Sequence, residues 1–207
     1  MKVLIACEFS GIVREAFKKH GHNAWSCDLL SSEILGQHIQ GDVLKILNNG
    51  WDLMIAHPPC TYLTYAGVAH WNKPGRAEKR KQAMEFFMYL MNAPIPKICI
   101  ENPVGYPSKV FRKPDQIIQP YYFGDRLLKR TCLWLKGLPP LIWAKEDELF
   151  WKKTATDYPE PEYYQKTGKQ KGRKRYYIDA MKGGKDRAKN RSRFFPGIAN
   201  AMAEQWG

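Results

Sequence analysis

Short apolar runs alternate along the chain with segments whose apolar residues recur at helical spacing. The runs predict buried strands, because the strands of a parallel sheet are apolar on both faces. The alternation of strands and helices predicts an α/β fold, a doubly wound and mainly parallel sheet covered on both faces. The predicted strands are 2–7, 23–27, 52–56, 97–100 and 130–135; the predicted helices are 12–20, 76–91 and 198–206, with one helical turn at 43–47.

The 207 residues are enough for one domain and a small appendage. We expect a core at 1–142, a basic and aromatic-rich insertion at 143–196, and a terminal helix at 197–207 that returns to the core. No apolar run approaches the roughly eighteen residues of a membrane span. The first residues resemble a strand without a signal-peptide cleavage pattern, so we expect a cytoplasmic protein that contacts no membrane.

Five cysteines are widely spaced and form no Cys-x-x-Cys pair. The odd number and the spacing argue against a disulfide framework and against a zinc site, so no metal is expected. Four of the cysteines lie inside apolar runs and are interpreted as buried small hydrophobic residues. Cys60 differs, because it follows Pro58 and Pro59 directly after a predicted strand.

Two chemical groups stand at the ends of predicted strands. Prolines stop the strand at 52–56 and place the Cys60 thiol on a stiffened loop. The strand at 97–100 leads directly to the carboxylate of Glu101. Ligands of open α/β sheets bind at the carboxyl ends of the strands. A thiol and a carboxylate in these positions indicate covalent chemistry assisted by an acid, whereas each residue alone is more typical of a loop.

A nucleotide-type cofactor site is indicated by the order strand, glycine turn, helix, strand, acid. Phe9 and Gly11 lie in the first turn, where a glycine lets the backbone approach a ligand at a helix N-terminus. Asp28, after the second strand, is placed to accept hydrogen bonds from ribose hydroxyls, and Asp42 to accept one from an adenine amine. The full Gly-x-Gly-x-x-Gly pattern is absent, and a simple turn and helix caps remain the alternative.

The net charge of +13 is concentrated in the last quarter of the chain. Residues 151–196 contain fourteen Lys and Arg against five Asp and Glu, with tyrosines and phenylalanines between them. Cations bind phosphates and aromatic rings stack on bases, so the segment favours a nucleic-acid partner over a solvated basic loop. The candidate DNA-binding residues are Lys169, Lys171, Arg173, Lys174 and Arg175.

Taken in order, the motifs of the chain resemble those of the DNA cytosine-5 methyltransferases, and most closely the short phage-type members. The family series is Phe-x-Gly-x-Gly, an acid, an Asp, Pro-Cys, Glu-Asn-Val, an Arg before an apolar strand, and a terminal Gly-Asn motif. The similarity covers roughly residues 1–137 and returns at 197–200. The matching residues are Phe9, Gly11, Asp28, Asp42, Pro59, Cys60, Glu101, Asn102, Arg130, Gly197 and Asn200.

The resemblance implies that the protein methylates cytosine at C5 in DNA, with S-adenosylmethionine as cofactor, as in DNA modification and restriction–modification. By this resemblance, Cys60 is the nucleophile, Glu101 contacts the N3/N4 edge of the base, and Arg130 contacts O2. The target base must be flipped out of a duplex or already be single-stranded. The residues that would line the cofactor site are Phe9, Gly11, Asp28, Leu29, Asp42 and Asn200.

Some positions depart from the family pattern. Val13 and Arg14 replace part of the glycine-rich turn, and His57 and Thr61 flank the Pro-Cys motif without an assigned role. The cation before the last strand is Arg130, with Arg126 and Lys129 as alternatives. Little of the chain remains for a target-recognition domain, so stringent sequence specificity is not expected.

The expected chemistry also leaves alternatives open. A carboxyl near N3 works best with a raised pKa, which the position of Glu101 after an apolar strand favours. His57-Pro-Pro-Cys60 partly resembles the loop of enzymes that methylate exocyclic amines. A non-catalytic DNA-binding protein on a methyltransferase scaffold would also fit the altered glycine turn. The sequence does not specify the target site, DNA or RNA, the transferred group or the oligomeric state.

Overall fold

Seven strands form one mixed sheet in a computed structural model that describes residues 1–143, 158–176 and 193–207. A second sheet, of two strands, is formed by β8 and β9. The strands are β1 (Lys2–Ala6), β2 (Asn23–Asp28), β3 (His38–Gln40), β4 (Leu53–Ala56), β5 (Lys97–Pro103), β6 (Gln116–Ile118), β7 (Thr131–Lys136), β8 (Tyr163–Tyr164) and β9 (Lys174–Arg175).

Helices cover both faces of the large sheet. Short 3-10 turns lie at Val43–Ile46, Tyr65–His70 and Pro120–Phe123. The α-helices are α1 (Ile12–Lys19), α2 (Arg76–Met91), α3 (Pro107–Val110) and α4 (Pro196–Trp206). Among the described residues, no helix is both long enough and apolar enough to cross a bilayer.

The strand order of the large sheet is β3-β2-β1-β4-β5-β7-β6. The first five strands in this order are parallel, and β7 runs antiparallel to both β5 and β6. The chain leaves β1 toward β2 and β3, then returns to the other side of β1 to form β4. This reversal makes a topological switch point, and the carboxyl ends of β1 and β4 border the crevice that it opens. The predicted α/β class with a mainly parallel sheet is confirmed.

The core has one layer on each face of the sheet, because side chains alternate along every strand. Val3 and Ile5 of β1 face the layer that contains α1 and α4. Leu4 and Ala6 face the opposite layer, which contains α2. The predicted helix 76–91 agrees with α2 at both ends.

The structure differs from the sequence prediction in two short strands that were not predicted and in one strand that is longer than predicted. β3 and β6 have only three residues each, too few for a recognisable pattern. The predicted strand 97–100 continues to Pro103, because β7 pairs with it antiparallel and places Leu133 opposite Glu101. Glu101 therefore lies inside a paired strand, whereas the sequence placed it just after the strand.

Candidate functional site

The Cys60 loop begins where β4 ends. The His57 amide donates to the Ala6 carbonyl at 2.9 Å, which prolongs the ladder between β1 and β4 by one bond. Cys60 is half-buried, and its carbonyl accepts the amides of Leu63 and Thr64 at 3.0 and 2.9 Å. The thiol thus stands at the start of a hydrogen-bonded turn at the carboxyl edge of the sheet, as predicted.

The end of β5 holds this loop in place. The Asn102 side-chain amide donates to the Pro58 carbonyl at 2.9 Å in a buried position. On the adjacent residue, Glu101 Oε2 lies 3.3 Å from His57 Nδ1. Two contacts therefore connect the strand that carries the acid with the loop that carries Cys60. The sequence predicted both groups, but not the amide and the imidazole that connect them.

Glu101 is a buried carboxylate, only 7% exposed. Burial acts to raise its pKa, but the charge of Lys129, the hydrogen bond to His57 and the charge of His57 outweigh burial and lower the pKa. The expectation of a raised pKa for Glu101 is therefore wrong. The physical reason is that two basic groups, neither of them adjacent in sequence, face a carboxylate that water barely reaches.

Lys129, not Arg130, is the cation whose charge acts on Glu101. Lys129 is half-buried, with Nζ 5.1 Å from the centre of the Phe195 ring. Arg130 is exposed, and its charge lowers the pKa of Cys132, while burial raises that pKa to about 11. Arg126 is also exposed. Of the three alternatives, Lys129 is the one that the structure brings to the acid; a contact of Arg130 with a base stays a prediction.

A second buried acid, Glu8, belongs to this site and was not predicted. Its carboxylate accepts the Val13 amide at 2.7 Å, the Arg14 amide at 3.3 Å and the Ser10 hydroxyl at 3.1 Å. Burial raises the pKa of Glu8, and the charge of His57 opposes that rise. The available signal was the position of Glu8, an acid directly after a buried strand and before a helix.

Three buried polar atoms at the ends of β4 and β5 have no hydrogen-bond partner within the described part of the chain. They are His57 Nε2, Glu101 Oε1 and Asn102 Oδ1. The Phe194 ring, 4.6 Å from the His57 ring, covers the imidazole. Buried polar groups are nearly always paired, so these atoms mark a place where a polar ligand would complete the hydrogen bonding.

Two of the predicted cofactor residues, Asp28 and Asp42, lie at the other side of the switch point. Asp28 accepts the Leu30 amide at 2.9 Å, and Asp42 accepts the Leu44 amide at 3.0 Å. Burial raises the pKa of the Cys7 thiol, and the charges of both acids raise it further. The structure therefore brings Asp28 and Asp42 together around the end of β1, although each also caps its own turn.

The remaining predicted cofactor residues have different surroundings. Phe9 is buried, and its carbonyl accepts the Glu33 amide at 2.8 Å. Leu29 is 74% exposed beside Asp28. Asn200 lies on the outer face of α4, in an open groove of about 650 Å³ with Phe123 and Trp143. No contact between the described residues joins Asn200 to the two acids, so its role in the cofactor site stays a prediction.

Arg14 explains the altered glycine turn. Its side chain is fully buried and donates to the hydroxyls of Ser26 and Ser32 and to the carbonyl of Ile34, at 2.7–3.0 Å. Gly11 has a φ of 76°, and a Cβ there would lie 2.9 Å from the guanidinium. The arginine thus occupies the corner beside the glycine and fixes the loop that follows β2.

The candidate DNA-binding residues lie on the hairpin of β8 and β9. Tyr163 and Tyr164 are exposed on β8, and the ring of Tyr158 packs on Tyr121 at 5.5 Å, which connects the hairpin segment to the core. Positive φ angles at two glycines, 168 and 172, form the turn. Lys169, Lys171 and Arg173 lie in the turn, and Lys174 and Arg175 form β9. The rest of the predicted insertion, 144–157 and 177–192, lies outside the described residues.

Comparison with protein-family models and with curated proteins finds no match. Within residues 1–143, 158–176 and 193–207, no group of three or more His, Cys, Asp or Glu side chains is arranged to hold a metal ion. The chemistry of the site therefore has to be argued from its own residues.

Proposed function

We propose that the protein transfers a methyl group from S-adenosylmethionine to C5 of cytosine in DNA, through a transient bond between Cys60 and C6. The observation that carries the proposal is the junction of β4 and β5. Asn102 and Glu101 of β5 contact Pro58 and His57, so the acid and the thiol loop form one unit.

Cytosine needs a nucleophile and a polar partner for its ring, and this unit contains both. A Cys60 thiolate adds to C6 and makes C5 able to accept a methyl group. The unpartnered Glu101 Oε1 and Asn102 Oδ1 are suited to accept hydrogen bonds from the N4 amine of the base. Lys129 and Arg130 supply positive charge beside the ring. Once C5 carries the methyl group, transfer of the C5 proton to solvent re-forms C5=C6 and releases Cys60 as a thiolate.

The other side of the switch point fits the cofactor. Asp28 and Asp42 converge on the end of β1, where acids suit ribose hydroxyls and an adenine amine. Leu29 is exposed beside them and offers an apolar surface to the adenine ring. When bound, the cofactor supplies the electrophilic methyl group.

The hairpin supports a nucleic-acid substrate. Its cations and exposed tyrosines combine phosphate binding with stacking surfaces. The target base must be flipped out of the DNA duplex or already be single-stranded. The Cys60 thiol is fixed at the edge of the protein sheet and cannot reach C6 of a base stacked inside a duplex.

Product analysis tests the proposal. The full chain is incubated with methyl-labelled S-adenosylmethionine and with duplex or single-stranded DNA, and the DNA is hydrolysed to nucleosides. We expect the label in 5-methylcytosine, and none with Cys60→Ser. Label in N4-methylcytosine or N6-methyladenine would replace the proposal with exocyclic-amine transfer.

A second candidate, a DNA-binding protein that has lost cofactor binding, is favoured by one observation. The Arg14 guanidinium fills the corner beside Gly11 where a glycine-rich turn would leave space. Calorimetric titration with S-adenosylmethionine separates the two candidates. Binding supports the enzyme, whereas salt-sensitive DNA binding without cofactor binding supports the second candidate.

A further inference from the structure

His57 contacts one buried carboxylate, and its charge acts on a second, which belongs to a different strand end. Its Nδ1 contacts Glu101 of β5 at 3.3 Å, and its charge acts on Glu8, which follows β1. The side chains of His57 and Glu101 are 10% and 9% exposed. This arrangement follows from the register, which places Ala6 beside Ala56 and Ala56 beside Ile100 at the ends of the strands.

The charged groups around the imidazole come from three elements. Glu8 and Glu101 contribute two negative charges, and Lys129, just before β7, contributes one positive charge that acts on Glu101. Phe194, which precedes α4, covers the ring and adds no charge. The contact with His57 Nδ1 gives Glu101 Oε2 a polar partner, which a buried carboxylate needs.

We propose that His57 is a positioning residue that holds the Glu101 carboxylate and relays a proton through it to N3 of the target cytosine. This inference rests on the proposed function. It gives a role to a histidine that no motif in the sequence explained. Lys129 and His57 lower the pKa of Glu101, so Glu101 starts the reaction as a carboxylate. The relay explains how this carboxylate obtains the proton that it gives to N3.

The relay balances the electrons of the addition step. As Cys60 Sγ bonds to C6, the C5=C6 electron pair moves to form C4=C5, and the C4=N3 pair moves to N3. N3 takes a proton from Glu101, which receives one from His57 Nδ1. When C5 takes the methyl group, the C4=C5 pair forms the C5–CH3 bond and the N3 lone pair re-forms C4=N3, so the N3 proton passes back to Glu101 and His57. The C5 proton then goes to solvent water, the C5–H pair re-forms C5=C6, and Cys60 leaves with the C6–S pair. Apart from water, no further reactant is needed for these proton transfers.

The rate of adduct formation at Cys60 against pH tests the relay. The wild-type chain is mixed with 5-fluorocytosine DNA and S-adenosylmethionine between pH 6 and pH 9. The reaction needs a Cys60 thiolate and a protonated His57, so we expect a bell-shaped profile. In His57→Gln, which keeps a hydrogen-bond donor but cannot relay a proton, we expect the alkaline fall to vanish and the rate near pH 6.5 to drop about 10²-fold.

Two further variants distinguish a relay from a purely structural role. Glu8→Gln removes a negative charge that faces His57, so the alkaline fall should move to lower pH. His20→Gln changes an exposed histidine at the end of α1 and should leave the profile unchanged. Thermal unfolding of each variant identifies any loss of fold.

The outcomes separate this inference from the proposed function. An adduct that forms in the wild type without an alkaline fall, or with the same fall in His57→Gln, overturns the relay and leaves the methyltransferase proposal standing. Absence of any wild-type adduct overturns both. If His57→Gln does not fold, the wild-type and Glu8→Gln profiles decide the question.

Discussion

At the carboxyl ends of β4 and β5, His57 and Glu101 are nearly inaccessible to water, and each has a polar atom without a partner among the described residues. At the ends of β2 and β3, by contrast, Asp28 and Asp42 lie nearer the surface and cap their own turns. We call these the β4–β5 region and the β2–β3 region. In the first region, the contacts join separate strand ends. In the second region, each acid is held by a hydrogen bond to an amide two residues away, and the loop after β2 gives the region its shape.

This difference predicts where a substitution changes chemistry and where it changes the fold. Polar groups in the β4–β5 region are buried by neighbours that remain when Cys60 is removed. The loop of the β2–β3 region depends on one buried arginine, so a change there should affect stability and cofactor binding together.

The largest effect is expected from Cys60→Ala. Without the nucleophile, methyl transfer should fall by about 10⁴-fold or more. Cys60 is half-buried on a loop, so the free energy of unfolding should change by less than about 1 kcal/mol. Labelled-methyl transfer and urea denaturation measure the two quantities. A variant that keeps its activity would remove Cys60 from the mechanism.

Next in size is the effect of Arg14→Met on the β2–β3 region. Loss of the guanidinium removes one hydrogen bond from each of the Ser26 and Ser32 hydroxyls and the Ile34 carbonyl, so unfolding should become easier by about 2–4 kcal/mol. Cofactor affinity should fall as well, because the loop holds Leu29. Urea denaturation and calorimetry measure the two effects.

Arg193→Ala is the matched control for Arg14. Arg193 pairs with Glu33 of the same loop at 2.9 Å, but the two side chains are 45% and 26% exposed. Solvent screening should limit the loss to less than about 1 kcal/mol. Equal losses in the two variants would show that the loop does not depend on the buried arginine.

Thiol labelling sharpens the comparison between the regions. Burial raises the pKa of Cys27 and of Cys132 to about 11, against an ordinary 9.0, so each forms about 100-fold less thiolate than an ordinary thiol near pH 8. Burial also raises the pKa of Cys7 and Cys99. Iodoacetamide should therefore modify Cys60 first, as peptide mass spectrometry would detect. Faster modification of Cys7 would contradict the raised pKa of that thiol at the end of β1.

The smallest effect on chemistry is expected from the hairpin, which lies outside both regions. Replacing Lys171, Arg173, Lys174 and Arg175 by glutamine should reduce the salt slope of DNA affinity by up to about 0.9 for each phosphate that the variant no longer neutralises. Cofactor affinity should not change. Glutamine at Lys18 and Lys19, on the last turn of α1, is the control. An unchanged slope in the hairpin variant would make the hairpin a solvated loop.

Local signals were sufficient to predict the positions of Cys60 and Glu101 at one edge of the sheet. Prolines that stop a strand and an acid beside an apolar run are visible in a few residues. The contact of His57 with Glu101 was not predictable in this way, because it depends on the register of strands 44 residues apart. Glu8 was missed for the same reason, and Lys129 was named only as an alternative to Arg130, since each reaches the site from another strand end.

Arg14 illustrates a different limit. In the sequence it is a charged residue in place of glycine and indicates a weakened turn. In the structure its side chain is buried, and three of its hydrogen bonds lead to residues 12 to 20 positions away. Burial of a charge depends on partners that a local pattern does not contain.

The most direct test of the central claim is mass spectrometry of the wild-type protein after reaction with 5-fluorocytosine DNA and S-adenosylmethionine. Fluorine at C5 cannot leave as a proton does, so the enzyme should remain joined to the DNA. We predict one cross-linked peptide, with the nucleotide attached to Cys60. An adduct at another cysteine, or no adduct although DNA and cofactor both bind, would contradict the account.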